Sequence, residues 1–473
     1  MRNEKKGWGM REGGWGISGR ALRAVVCFVA MPAAAATAQP GQGTVRPPSP
    51  VPLPGGAAAA YAIRNATVVP IAGAPIPNGT VVIRDGRIEA VGAGSSVQVP
   101  ADATVIDASG MYVYPGLIDS GTQLGLTEIS SVPGGVDTEE VGDFNPHNVA
   151  LTAVNAHSEL IPVTRVNGVT TALTAARGGI VSGQASLVDL SGWTPGEMAV
   201  KRQAAMVMTY PTVSAGRRGG GGFGGFGQQR SDAERREEYN RQVRLLKSYL
   251  ADARAYADVR GRTGSAAAGA PRTNLAMEAM IPVLRGQLPV VFDVNSAEQI
   301  RGVLALADSF GLKVVLRGAN EAWRLADTLA ARRIPVIVGP TSESPDDAEE
   351  PYDEIYANPG VLARAGVKIA FQTEEASNVR NLPYQAALAT AYGLDTLEAL
   401  RALTINPAEI WGVADRLGTI ERGKVANLFV TTGNPLDVRS VPKYLFIRGQ
   451  MVPLTDRHTR LYEQFRARPK PSR

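Results

Sequence analysis

Residues 115–125 read PGLIDSGTQLG. A short apolar run ends there on small and polar residues, and two of them set what the strand end can do. Gly121 has no side chain to offer. Gln123 offers an amide, a poor ligand for a zinc-type ion beside neutral imidazole. Downstream, short apolar runs at 168–175, 187–191, 205–210, 288–294, 313–317, 334–339 and 367–373 alternate with helical stretches. In Ala297–Phe310, Ile300, Val303, Leu304, Ala307 and Phe310 recur at helical spacing. Ser296 with Gln299 gives a capping-box signal before it, and Asp395 with Glu398 gives another before 396–404. Repeated strand–helix units imply parallel strands, in a barrel or an open doubly wound sheet.

On both sides of this α/β middle the pattern is all-β. Strand signals begin at Tyr61, with runs at Ala62–Pro70 and Thr80–Val91 around the turn pair Asp85-Gly86. Similar runs return at 417–430 and 444–452. Two separated β segments flanking an α/β middle fit one small domain closed by both chain ends.

These stretches resemble the amidohydrolase superfamily, in its imidazolonepropionase-like, exported branch. The resemblance covers nearly all of residues 60–455. It is carried by PGLID at 115–119, GVTT at 168–171, LRALTINPAEIWGV at 400–413, the hairpin VVIRDGRIEAVG at 81–92, and the closing runs LGTIERGKVANLFV and YLFIRGQMV. It implies a (β/α)8 TIM-type barrel over 115–415 and a small β-sandwich that joins 60–114 to 416–455. It also implies hydrolysis of non-peptide C–N bonds, in which a metal-bound water attacks a carbonyl and a carboxylate moves protons.

The same resemblance marks what is missing. Where the family carries His-x-His on its first barrel strand, this chain has Gly121 and Gln123. Asp293 and Arg317 stand at the next two histidine positions. Glu374 replaces the usual aspartate of the last strand, and Asp189 stands where some members carry a bridging lysine. Asn427 replaces a usual aspartate in the closing segment. The family site needs four histidines and the whole chain has three, His147, His157 and His458. The expectation is therefore no bound metal, although the family normally holds zinc or a similar divalent ion. Asp293, Arg317 and Glu374 should converge at the barrel mouth, with Arg317 paired to a carboxylate, and Gln123 is a candidate binding residue.

Two functions fit this reading. One is a metal-free pseudoenzyme that binds a small molecule or an intact amidohydrolase relative. The other is a divergent hydrolase that uses Glu374 and Asp293. The reading is compatible with a homo-oligomer. Nucleic acid is set aside on charge grounds. Residues 1–38 hold six Lys/Arg against two Asp/Glu, so they account for most of the formal +5.

That N-terminal segment reads as a secretory signal with a cleavage site at Ala36-Thr37-Ala38; a retained anchor is the other reading. Export to the periplasm or beyond follows from cleavage. The only cysteine, Cys27, lies inside it, so a processed chain would have no thiol for a disulfide, a metal or nucleophilic catalysis. No later run is long and apolar enough to span a membrane. Residues 39–59 read as a flexible linker, 214–230 as a Gly-rich insertion, 264–270 as a linker and 456–473 as a tail.

Overall fold

The computed structural model describes residues 60–213, 231–263, 272–343 and 351–468. The signal segment, the 39–59 linker, the Gly-rich insertion, the 264–270 linker and the last five residues of the tail lie outside the described residues. Strands β1 (Tyr61–Val68), β2 (Ile76–Arg84), β3 (Arg87–Ala93), β4 (Thr104–Asp107) and β5 (Tyr112–Pro115) come first. Strands β6 (Leu117–Thr122), β7 (Val169–Thr174), β8 (Val181–Asp189), β9 (Ala199–Thr209), β10 (Val290–Val294), β11 (Val314–Gly318), β12 (Val336–Val338) and β13 (Ile369–Phe371) form a second sheet, in that order. The chain ends with β14 (Leu428–Thr431), β15 (Pro442–Ile447), β16 (Gln450–Val452) and the helix Arg457–Arg466.

The second sheet closes on itself. Glu374 N–H donates to Gly121 O at 2.9 Å, and Gln123 N–H donates to Glu374 O at 3.0 Å, at the end of β6 and just beyond β13. Alternate residues explain why the strands are apolar nearly throughout. Ile118, Val291, Val315, Ile337 and Ala370 fill the interior with Trp411. Their neighbours Leu117, Val290, Val314, Val336 and Ile369 pack outward among the helices. The interior face continues two residues later as Asp293, Arg317 and Gln372, which is how an apolar barrel ends in polar side chains.

One strand departs from the parallel expectation. β8 is antiparallel to both β7 and β9. Only residues 175–180 separate β7 from β8, too few for the crossover that parallel neighbours need. Gly178 and Gly179, both at positive φ, make the reversal.

The first sheet carries both ends of the chain. β5 pairs antiparallel with β14, with Val113 opposite Val430. Its core includes Ile63, Val81, Ile106, Val113, Leu428 and Phe446. Bonds from Ile88 N–H to Lys424 O and from Gly423 N–H to Ile88 O fold the β3 edge back against the segment leading into β14. The two β segments seen in the sequence thus share one sheet.

The helix caps follow the sequence in part. Ser296 and Gln299 form a reciprocal capping box. Asp395 caps its helix through the amides of Leu397 and Glu398, but Glu398 does not reach back and pairs with Arg401 instead.

Candidate functional site: the barrel mouth

Asp293 and Arg317 are register partners on adjacent parallel strands. Arg317 donates from Nε to Asp293 Oδ1 at 2.5 Å and from Nη2 to Oδ2 at 2.8 Å, a bidentate pair. The Arg317 side chain is only 7% exposed, whereas Asp293 is 33% exposed. Burial is the largest single influence and opposes the guanidinium charge, but Asp293, Glu374 and Asp119 together outweigh it, so the pKa of Arg317 is raised.

Glu374 lies at the same mouth, with φ at 66°, an uncommon conformation for a residue with a side chain. The backbone bonds that close the barrel hold it there. Its carboxylate pairs with Arg177, from the loop after β7, and not with Arg317. Glu374, Arg177, Arg317, Gln372, Gln123 and Gly121 line one cavity of about 10 Å³, the room of a single water molecule. Asp293 does not line this cavity and is tied to it through Arg317.

The strand end at Gly121 is crowded. A Cβ placed there would lie 2.5 Å from Gln372 Oε1 and 3.2 Å from Arg317 Cδ. Gln372 is fixed by its Nε2 donating to Gly339 O at 2.7 Å. No side chain fits at position 121 without displacing these two. Gln123 is half-buried, and its Oε1 is 3.5 Å from Thr127 Oγ1.

Asp119, two residues earlier, is fully buried. It accepts from Gly121 N–H at 2.9 Å, from Thr373 N–H at 3.3 Å and from Thr373 Oγ1 at 2.5 Å. Burial pushes its carboxyl up to about 7 despite these donors and Arg317. Sequence reasoning passed over Asp119, Arg177, Gln372 and Thr373. A carboxylate within the apolar PGLID run was an available signal for the first; nothing local marked Arg177.

Asp189 is placed differently from its expected role. Because β8 runs antiparallel, its end lies beside Thr171, at the opposite end of the barrel from Glu374. There Asp189 is buried, accepting from Asn427 Nδ2 at 2.8 Å and from Thr171 Oγ1 at 3.0 Å, with Arg448 Nε 3.7 Å away. Asn427 Oδ1 also accepts from Arg448 N–H at 2.7 Å. Asn427 can donate and accept, so it joins barrel to sheet without setting a second carboxylate against Asp189.

The three histidines are all exposed. His157 leans on Trp193, with ring centroids 6.3 Å apart, and His458 Nε2 lies 3.3 Å from Arg380 Nη1. Among the described residues no three His, Cys, Asp or Glu side chains cluster as a metal-binding group.

A closed eight-stranded barrel, attached to a sheet built from both chain ends, defines the class of molecule. The sequence pattern of the Amidohydrolase family matches residues 324–452. The chain is 26% identical over 407 residues to an imidazolonepropionase of Sphingopyxis alaskensis, covering 77% of this chain and 89% of that protein. An imidazolonepropionase of Clostridium tetani is 23% identical over 392 residues, covering 75% and 84%. A solved amidohydrolase from Thermotoga maritima superposes with a TM-score of 0.72 at 26% identity, over 83% of this chain and 99% of that one. The chain belongs to the amidohydrolase superfamily.

Proposed function

We propose that this chain keeps the amidohydrolase scaffold without its metal chemistry, and that it works by binding rather than by turnover. The observation that carries this is the crowded end of β6. The space a side chain at position 121 would need is taken by Gln372 and Arg317. The donor set argues the same way. Besides Arg317, it offers the amides Gln123 and Gln372, and both Asp293 and Glu374 are already ion-paired to arginine. Carboxylates neutralised by guanidinium have little left to give a divalent cation, and no neutral imidazole is at hand. The residues present do not fit zinc. Arg317 and Arg177 supply the positive charge that holds Asp293 and Glu374 respectively.

A cavity of about 10 Å³ is far below the few hundred Å³ of ordinary ligand sites. It favours contact with a partner over capture of a small molecule. An intact relative of the same fold is the partner to test. Export, with cleavage near Ala38, belongs to the same proposal, and N-terminal sequencing of the secreted chain tests it.

The competing reading is metal-independent hydrolysis by Glu374 and Asp293. A screen of amides, dipeptides and cyclic imides, run with chelator and with added zinc, separates the two. We expect no turnover in either condition. Hydrolysis that survives chelator and disappears in Glu374→Ala or Asp293→Ala would establish the hydrolase. Zinc-dependent hydrolysis would overturn both.

A further inference from the structure

The chain ends in an exposed amphipathic helix that neither the barrel nor the two-ended sheet accounts for. Asp456 caps the helix Arg457–Arg466 through Thr459, in a reciprocal capping box. Every residue from Arg457 to Arg468 is exposed. Leu461, Tyr462 and Phe465 are 47%, 63% and 61% exposed. At helical spacing these three share an arc of about 100°. Arg457 and Arg466 flank that arc, and Arg466 also lies over the Tyr462 ring, 5.8 Å from its centroid. Residues 457–468 carry Arg457, Arg460, Arg466 and Arg468 against the single acid Glu463.

Something fixes this helix on the body without covering its apolar face. Arg460, on the opposite side, pairs with Glu159 at 2.8 Å. His458 contacts Arg380. The helix is anchored by polar contacts: His458 shares the arc of Leu461, Tyr462 and Phe465, so that face meets the body at its first turn, while the two aromatic rings and the leucine beyond it stay exposed.

We propose that this helix docks the protein on an anionic lipid bilayer, lying in the interface with Leu461, Tyr462 and Phe465 immersed and the flanking Arg457 and Arg466 at the headgroups. An apolar stripe flanked by arginines is the composition such interfacial helices need. Charge selects the occupant. Pairing the same face of two copies would bring two net-positive helices together, whereas an anionic surface neutralises them. The proposal does not depend on the chemistry of the barrel mouth. Nor does it require a span: among the described residues no helix is long and apolar enough to cross a membrane.

The test uses the full chain with Cys27→Ser and a single spin label, at Tyr462→Cys on the apolar face or at Gln464→Cys, one turn after Arg460 and outside the apolar arc. Each is mixed with vesicles of phosphatidylglycerol and phosphatidylcholine, and with phosphatidylcholine alone. On the anionic vesicles the label at 462 should gain oxygen accessibility and lose access to a nickel chelate, while the label at 464 stays in water. With Arg460 paired to Glu159 the net charge is about two, and at roughly fivefold per basic residue near the surface this signature should weaken about 25-fold on neutral vesicles. It should disappear in Leu461→Ser/Phe465→Ser. Both labels remaining in water would overturn the proposal. So would immobilisation at 462 without vesicles together with a dimer by sedimentation, which would assign the face to a second copy. Contact at 462 that is equal on neutral vesicles would overturn the charge argument.

Discussion

Replacing Asp293 by alanine should show what Arg317 is doing in the barrel. Arg317 is 7% exposed and gives two hydrogen bonds to Asp293. Removing one partner of a buried pair costs roughly 3–5 kcal/mol, mainly because a charge is left behind without its counter-ion. Two features lower that figure here. Asp293 is itself 33% exposed, so part of its interaction is screened by solvent. Asp119 also faces Arg317 and can ionise in response. We expect Asp293→Ala to cost about 2–3 kcal/mol in equilibrium urea unfolding followed by tryptophan fluorescence. Arg317→Met should cost less, about 1 kcal/mol, since the abandoned carboxylate can reach water. In the double variant most of the Asp293→Ala cost should be recovered, a coupling of about 2 kcal/mol. An Asp293→Ala protein within about 0.5 kcal/mol of the parent would refute the reasoning. It would mean that the pair is a surface contact and does not replace a metal's charge.

Three further outcomes follow from the same geometry. Gly121→Ala forces a methyl group against Gln372 and Arg317, and should destabilise by about 1–3 kcal/mol in the same unfolding assay. Asp119, with its folded carboxyl up at about 7, binds a proton that the unfolded chain has released, so its contribution is full below about pH 4 and is lost as pH rises through about 7. Unfolding measured from pH 4 to 8 should show that decline, and Asp119→Asn, whose amide can donate to Thr373 Oγ1, should flatten it. Asn427→Asp sets a second carboxylate within hydrogen-bond distance of buried Asp189, and should cost about 2 kcal/mol at pH 8 with recovery below pH 5, read from thermal melts at the two pH values.

Much of the barrel was legible because strands buried on both faces are apolar without alternation and are separated by helices with capping signals. The proximity of Asp293 and Arg317 was legible too, since each ends an apolar run that becomes a neighbouring strand. What escaped the sequence was direction and distance. The reversal of β8 rests on a short, Gly-containing loop between two strands, and the polar start of β8, Val181–Ser186, lacks the apolar run that marks its neighbours. Missing that reversal put Asp189 at the wrong end of the barrel. Arg177 and Glu374 are far apart in the chain, and no local pattern predicts that Arg177, rather than Arg317, takes the Glu374 carboxylate. The burial of Asp119 follows from barrel closure, a long-range event.

The central claim is that a guanidinium, Arg317, takes the place of a metal in this amidohydrolase barrel. The most direct test is elemental analysis of the purified protein, followed by calorimetric titration of the chelator-treated protein with zinc. The account predicts well under one metal per chain and no saturable high-affinity zinc binding. One tightly bound zinc per chain, lost with chelator and regained on titration, would contradict it.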